Sequence, residues 1–213
     1  WSRGLGDVYK RQKQHGRAER VAAKKRVVAE RLGECSDLVE NSGKLLGDAF
    51  WIAEQEDIIA LNLAGLDQAM RAGEPLSIQC EYYAARGATL VTIIASDHPG
   101  LFYRIAGGIH LAGGNIIDAR IHTTRNGRAL DNFLVQDPLG RPFMEEEQLE
   151  RLKKSIEDAL ANRIQLVPTL AKRPLPRRRA ETFDVRPRVL INNKASNRFT
   201  VIEVNARDAP ALL

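Results

Sequence analysis

Apolar residues recur at helical spacing through the first third of the chain and alternate with polar ones thereafter. From Gln14 to Leu32 the sequence is rich in Ala, Lys and Arg, with Val21, Val28 and Leu32 at roughly helical intervals. This predicts an amphipathic helix with a solvated charged face, closed by Gly33. Asp37 to Leu46 predicts a shorter helix ending at Gly47. Phe50-Trp51-Ile52-Ala53 leads into Glu54 to Arg71, where Ile58, Ile59, Leu61, Leu63 and Leu66 form a broad apolar stripe and Gly73-Glu74-Pro75 a stop. Residues 13–73 are therefore read as a helical segment that packs or connects and carries no chemistry. Residues 1–12, Trp1 to Gln12, have no periodicity and are set aside as a doubtful, non-native tail.

After Pro75 the period changes to two. Ser77 to Ala84 and Ala88 to Ala95 predict strands joined by a tight turn at Arg86-Gly87. Asp97-His98-Pro99-Gly100 interrupts the pattern. Leu101 to Ala112 then reads as a short helix with Leu101, Ile105, Ile109 and Ala112 on one face, ended by Gly113-Gly114. Asn115 to Thr124 and Ala129 to Gln136 are strands joined through Asn126-Gly127, a strong hairpin signal. Asp137 to Pro142 is a loop, and Met144 to Asn162 a helix with Leu149, Leu152, Ile156 and Leu160 buried. Ile164 to Val167 can supply a final strand. Counted from Ala88, the order is the split βαβ of a ferredoxin-like βαββαβ module. Leu130 and Leu134 alternate with Phe133 and Val135, so both sheet faces are partly apolar and the module is expected to pair.

The fold class expected is α+β. A helical segment precedes one complete module at 76–170, and the first strands of a second, truncated module follow it. Between them, 171–182 reads as an exposed basic linker around Lys172 to Arg179, with a local anion patch as the alternative. The second unit, 183–213, repeats the first. Phe183 to Ile191 and Arg198 to Asn205 stand for its two strands, and Asp208-Ala209-Pro210-Ala211-Leu212 answers Asp97-His98-Pro99-Gly100-Leu101. A first residue that is Trp, and a helix start at Asp208 to Pro210 that nothing follows, lead us to expect a piece of a longer protein.

The 213 residues carry 32 Lys and Arg against 27 Asp and Glu, a net charge of +5 and a modest basic excess. That excess and the absence of interleaved aromatics make nucleic acid an unlikely partner. With 44% hydrophobic residues the chain can fill a core, which excludes global disorder. No apolar run approaches the ~18 residues of a membrane span, and no apolar stretch follows the basic start as in a secretory signal. The two cysteines, Cys35 and Cys80, cannot build a disulfide framework or a four-ligand zinc site. A soluble protein of a reducing compartment is expected, with no membrane partner.

No catalytic constellation stands out among His15, His98, His110 and His122, and the phosphate-loop, nucleophile-elbow and Asp-x-Asp motifs are all missing. Asp118 and Asp131 flank one hairpin and offer a carboxylate pair, with salt bridges to Arg120 or Arg128 as the blander reading. Ligand binding is better supported. Asp97-His98-Pro99-Gly100 joins a strand to a helix N-terminus, where free N–H groups favour an anion and Gly100 permits close approach. Asn115, opening the next strand, offers a donor and an acceptor. With strand exit and strand entry expected near one another, the set suits an amino acid: carboxylate at the helix N-terminus, ammonium near Asp97 or Asn115. The alternative is a plain N-cap and a turn residue.

These residues resemble an ACT domain, the small module that typically binds amino acids. The stretch Asp97-His98-Pro99-Gly100-Leu101-Phe102, with Gly114 to Thr124 and Ala129 to Asp137, is similar to the C-terminal regulatory region of the protein-PII uridylyltransferase/uridylyl-removing enzyme family. Trp51-Ile52-Ala53-Glu54 resembles the exit from that family's hydrolase domain. Arg188 to Ile191 and Val201 to Asn205 resemble the opening of its second ACT domain. The resemblance implies a cytoplasmic parent enzyme of nitrogen regulation that uridylylates PII proteins with a magnesium-dependent nucleotidyltransferase domain. A hydrolase domain removes the group, and the ACT pair senses glutamine. Carried onto this chain, 13–73 becomes the end of the hydrolase region and a connector. The catalytic motifs of both domains are absent here, so no catalytic or metal residue carries over and no cofactor is expected in this stretch. The implied ligand-binding residues are Asp97, His98, Pro99, Gly100, Leu101, Gly114, Asn115 and Ile116. In the second unit Ala211 stands where the family has Gly and Ala209 where a polar residue is usual, which puts a site there in doubt. An ACT-type dimerisation or sensing module of a different parent is the alternative.

Overall fold

The computed structural model describes residues 3–171, 186, 188–194 and 200–205, with side chains from residue 16 to 170 and in the later stretches. The first helix, α1 (Arg3–Leu32), begins well before the expected Gln14 and buries Val21 and Val28. Asp37 to Leu46 is not one helix. It breaks into α2 (Leu38–Asn41), a 3-10 turn at Gly43–Leu45 and an extended Leu46. Trp51 sets the break: a Cβ on Gly43 would lie 2.8 Å from its ring, so the chain turns beneath the indole. α3 (Asp48–Ala53) carries Phe50 and Trp51 into the core, and α4 (Glu56–Ala72) follows. Gly73, left-handed at φ 64°, ends α4, with the Glu74 N–H returning to the Ala69 carbonyl as in a Schellman cap.

Of the α4 stripe, Ile58, Ile59, Leu63 and Leu66 are buried, whereas Leu61 is exposed and Asn62 takes an inward place. Four strands follow in the spatial order β1 (Leu76–Tyr83), β2 (Ala88–Ser96), β4 (Arg128–Gln136), β3 (Asn115–Thr123), every pair antiparallel. α5 (Leu101–Leu111) and α6 (Glu146–Leu160) cross one face.

The observed order is ββαββα, which corrects the expected βαββαβ. Ile164 to Val167 forms no strand; α7 (Leu166–Ala171) occupies that stretch. The place beside β2 is taken by β1, which reaches it through the short turn at Ala84–Arg86 and a left-handed Gly87. Leu166 is held elsewhere: a Cβ on Gly107 would lie 2.8 Å from its Cδ2, so its side chain fills the notch that glycine leaves on α5.

Both faces of the sheet are apolar, and this chain covers both. Val91, Ile93, Phe133 and Val135 pack under α5 and α6. On the other face Ile94 and Leu130 share a core with Val28, Trp51, Leu63 and Leu66 of the helical segment, while Leu90 and Leu134 meet Ile58. The second apolar face, from which pairing was expected, is thus satisfied from within. Among the described residues no helix is long and apolar enough to cross a membrane.

Farther on, β5 (Arg188–Asn192) and β6 (Val201–Asn205) form an antiparallel hairpin, with Arg188 opposite Asn205 and all ten residues exposed. They agree with two of the strands expected in the repeat. The basic stretch Lys172 to Arg179, the side chains of Trp1 to Gln12 and the Asp208 to Leu212 element lie outside the described residues.

Gly108 sits where α5 and α6 touch: a Cβ there would lie 2.7 Å from Ile156 Cα and 3.0 Å from the Ser155 carbonyl oxygen. Backbone cannot step aside as a side chain does. Gly108→Ala is expected to push the helices apart and lower stability by about 2 kcal/mol, the usual range for overpacking, as read from the midpoint of urea unfolding.

Candidate functional site

Asp97 to Leu101 forms the exit from β2. The Asp97 N–H donates to the Gly127 carbonyl at 3.3 Å, and Thr123 donates its hydroxyl to the Asp97 carboxylate at 2.9 Å. Asp97, His98, Pro99 and Gly100 are exposed, and His98 Nδ1 lies 3.1 Å from the Pro99 carbonyl oxygen. Gly100 caps α5 at φ 82°, a left-handed conformation that glycine adopts without strain. Leu101 points into the core and is 4% exposed, so its role is packing.

Gly114, Asn115 and Ile116 form the entry to β3. Gly114 is required by packing, since a Cβ would lie 2.7 Å from Ile109 Cγ2 and 2.8 Å from Val135 Cγ1. Ile116 packs into the α5–α6 core, and Asn115 is exposed. The strand register separates this group from the first. Ser96 lies opposite Arg128 and Asn115 opposite Gln136, at the two ends of β4. Because β2 and β3 both run antiparallel to β4, they run parallel to one another. Exit and entry therefore stand apart by the length of a strand, on the order of 25 Å at ~3.4 Å per residue. The expectation that they lie together is corrected: within one chain Asp97 and Asn115 do not share a ligand.

Asp118 and Asp131 do not form a carboxylate pair either. Asp118 lies opposite Leu134 and Asp131 opposite Ile121. Asp118 Oδ2 stands 3.9 Å from Arg120 Nε, in agreement with the blander reading for that residue. Asp131 pairs with neither Arg120 nor Arg128. It is 1% exposed, and no donor meets either carboxylate oxygen in good hydrogen-bond geometry, the His122 backbone N–H standing near without closing one. Burial pushes its pKa up to about 6; the backbone N–H of His122 pulls less strongly the other way, and Asp97 adds repulsion.

One polar cluster was missed because its members lie far apart in the chain. Glu54, between α3 and α4, is 0% exposed, and its Oε1 accepts from His122 Nε2 at 2.8 Å and Asn132 Nδ2 at 3.1 Å. Asn132 and Asn62 exchange two amide hydrogen bonds of 2.8 and 2.9 Å, and the Thr92 hydroxyl donates to Asn132 Oδ1 at 2.9 Å. Phe50 stands edge-on to the His122 ring at 4.9 Å. Arg120 donates to the Ala53 carbonyl. A β-bulge makes this possible. The register shifts between Ile116 and Asp118, which turns Asp118, Arg120 and His122 toward the helical segment. The available signal was polar residues at inward positions: Asn62 within the α4 stripe and Asn132 between Leu130 and Leu134.

Among curated proteins, the chain is 70% identical over 201 residues to the bifunctional uridylyltransferase/uridylyl-removing enzyme of Novosphingobium aromaticivorans, covering 94% of the chain. It is 66% identical over 199 residues to the enzyme of that name from Erythrobacter litoralis and 45% identical over 199 to that from Zymomonas mobilis, each covering 93% of the chain. Each match takes in 22% of the relative, so the chain spans about a fifth of the length of these proteins. The chain is a homologue of that stretch, and the family resemblance read from its motifs is borne out. No family model matches the chain, and no solved structure matches it.

Two outcomes test the buried polar groups. Asn62→Ala leaves the Asn132 amide two partners short in a closed environment and is expected to cost about 2 kcal/mol by urea unfolding. Burial holds the folded pKa of Asp131 at about 6, above its ordinary 3.8, so its charged form is disfavoured in the fold. The penalty is fully present above pH 6, fades as pH falls through that value, and is gone below the unfolded pKa. Asp131→Asn is therefore expected to raise stability by about 2 kcal/mol at pH 8, an advantage that vanishes near pH 4.

Proposed function

We propose that this chain is the regulatory, ACT-type region of a bifunctional enzyme that adds uridylyl groups to PII signal proteins and removes them. In this reading it senses glutamine as a sign of nitrogen sufficiency in the cytoplasm. What supports it is the high identity to enzymes of that name over nearly the whole chain, together with the ordered motif set from Asp97 to Asp137. Magnesium then belongs to the transferase part of the parent; among the described residues no group of three or more His, Cys, Asp or Glu is placed to hold a metal ion.

The effector would bind through Asp97, His98 and the backbone at Gly100 from one module, and through Asn115 from another. Leu101, Gly114 and Ile116 shape those two ends from within the core. Such a ligand joins two modules, and it favours whichever packing of the pair brings the ends together. The strands β5 and β6 belong, in this reading, to the neighbouring ACT domain. The helical segment is packed directly on the sheet, so a shift of the sheet is passed to whatever precedes it.

The test is carried out on the whole enzyme, with uridylyl transfer to PII followed against glutamine concentration. Asn115→Ala and Asp97→Ala are each expected to move the glutamine midpoint upward by tenfold or more while leaving the rate without glutamine unchanged. A midpoint that stays in place for both variants rules out these residues as the effector site.

A further inference from the structure

A cavity of about 260 Å³ lies between the start of α4 and the sheet face that packs on the helical segment, at the end of the sheet away from Asp97. It is just under the ~300 Å³ at which pockets for drug-sized molecules begin, which suits a small metabolite. Its charged lining is balanced: Glu54 and Asp118 against Arg86 and Arg120. Ile58, Leu90 and Leu134 form its apolar wall, and each is at most 6% exposed.

The charges are incompletely spent on one another. Glu54 is 0% exposed, and its Oε1 is bound to His122 and Asn132, yet its Oε2 accepts no hydrogen bond. The nearest cation, Arg120 Nη1, stands 3.9 Å from that oxygen, and Asp118 Oδ2 is 3.9 Å from Arg120 Nε. A buried carboxylate oxygen without a donor is costly, and a ligand that brings N–H groups removes the cost. Across the cavity, in the β1–β2 turn, Arg86 takes part in no ion pair among the described residues and offers a guanidinium fork for a carboxylate. The amide of Asn132 is saturated by Glu54, Asn62 and Thr92, and the exposed Gln55 also lines the cavity.

We propose that this cleft binds a free α-amino acid with an aliphatic side chain. Its ammonium meets Glu54 and Asp118, its carboxylate meets Arg86, and its side chain lies on Ile58, Leu90 and Leu134. The ligand class follows from the paired opposite charges beside an apolar wall: a zwitterion satisfies both ends, whereas a simple anion or cation leaves one end unpaired. The site shares no residue with the two-module effector site and does not depend on it. A ligand there ties the α3–α4 junction to the sheet and the β1–β2 hairpin, so its occupancy strengthens the joint through which the helical segment is held.

The test is calorimetric titration of the 213-residue chain with L-leucine, N-acetyl-L-leucine and L-leucine methyl ester. L-Leucine is expected to bind, and blocking either charged end to weaken binding tenfold or more. Arg86→Ala and Asp118→Asn are expected to weaken it by a similar factor, with thermal unfolding confirming that both variants fold. Asp97→Ala, at the far end of the sheet, is expected to leave it unchanged. No heat with L-leucine at millimolar concentration overturns the assignment, as do blocked derivatives or an Arg86→Ala variant that bind like the parent. Loss of binding in Asp97→Ala alone overturns it in favour of the Asp97–Asn115 ends. The whole enzyme's response to glutamine is read separately, so either site can fail without the other.

Discussion

The reciprocal amide pair of Asn62 and Asn132 fixes how the helical layer sits on the sheet. An apolar contact tolerates sliding; two amides that exchange hydrogen bonds in a closed environment tolerate almost none. Glu54 and Thr92 extend the same pair, one toward the α3–α4 junction and the other into β2. Around it, Trp51, Leu63 and Leu66 meet Ile94 and Leu130 in one continuous core. The helical segment and the sheet are therefore neighbours in sequence and partners in packing. The chain changes from helix to strand at Gly73-Glu74-Pro75, and no gap in the core accompanies that change.

This arrangement explains why the sheet carries apolar residues on both faces. A two-layer module leaves its second face open and needs a companion. Here α4 lies across that face, and the polar group at its centre sets the register of the layer. The bulge between Ile116 and Asp118 serves the same end on the edge strand β3. It takes Asp118, Arg120 and His122, which would otherwise face the α5–α6 core, and turns them to meet Glu54 and Ala53. Three polar side chains under α5 and α6 would be unpaired among Ile105, Ile109 and Phe133.

Strand and helix positions from Leu76 to Leu160 were legible because periodicity and turn chemistry agreed there: Asn126-Gly127 at the hairpin, Gly73 after α4, alternation through β2 and β4. The last strand was not. Ile164 to Val167 is short and apolar, and such a run does not separate strand from helix. What decides it is Leu166 seated over Gly107, a contact between residues far apart in the chain. The candidate ligand residues were found as a motif, but their separation by the length of β4 depends on strand direction, which periodicity does not carry. The buried cluster around Glu54 was hidden for a related reason. Each member looks ordinary in its own segment, and only the fold brings Asn62 within hydrogen-bond reach of Asn132.

The parallel course of β2 and β3 has a consequence for symmetry. The module has two unlike ends, Asp97 at one and Asn115 at the other. A ligand that touches both counts modules rather than chains. If two modules join across a two-fold axis, each end meets the opposite end of its partner and the pair closes two equivalent sites. If they join head to tail, one site closes and two halves stay open, each free to recruit a further copy. The number of ligand molecules held by a pair of modules therefore reports the symmetry with which they meet.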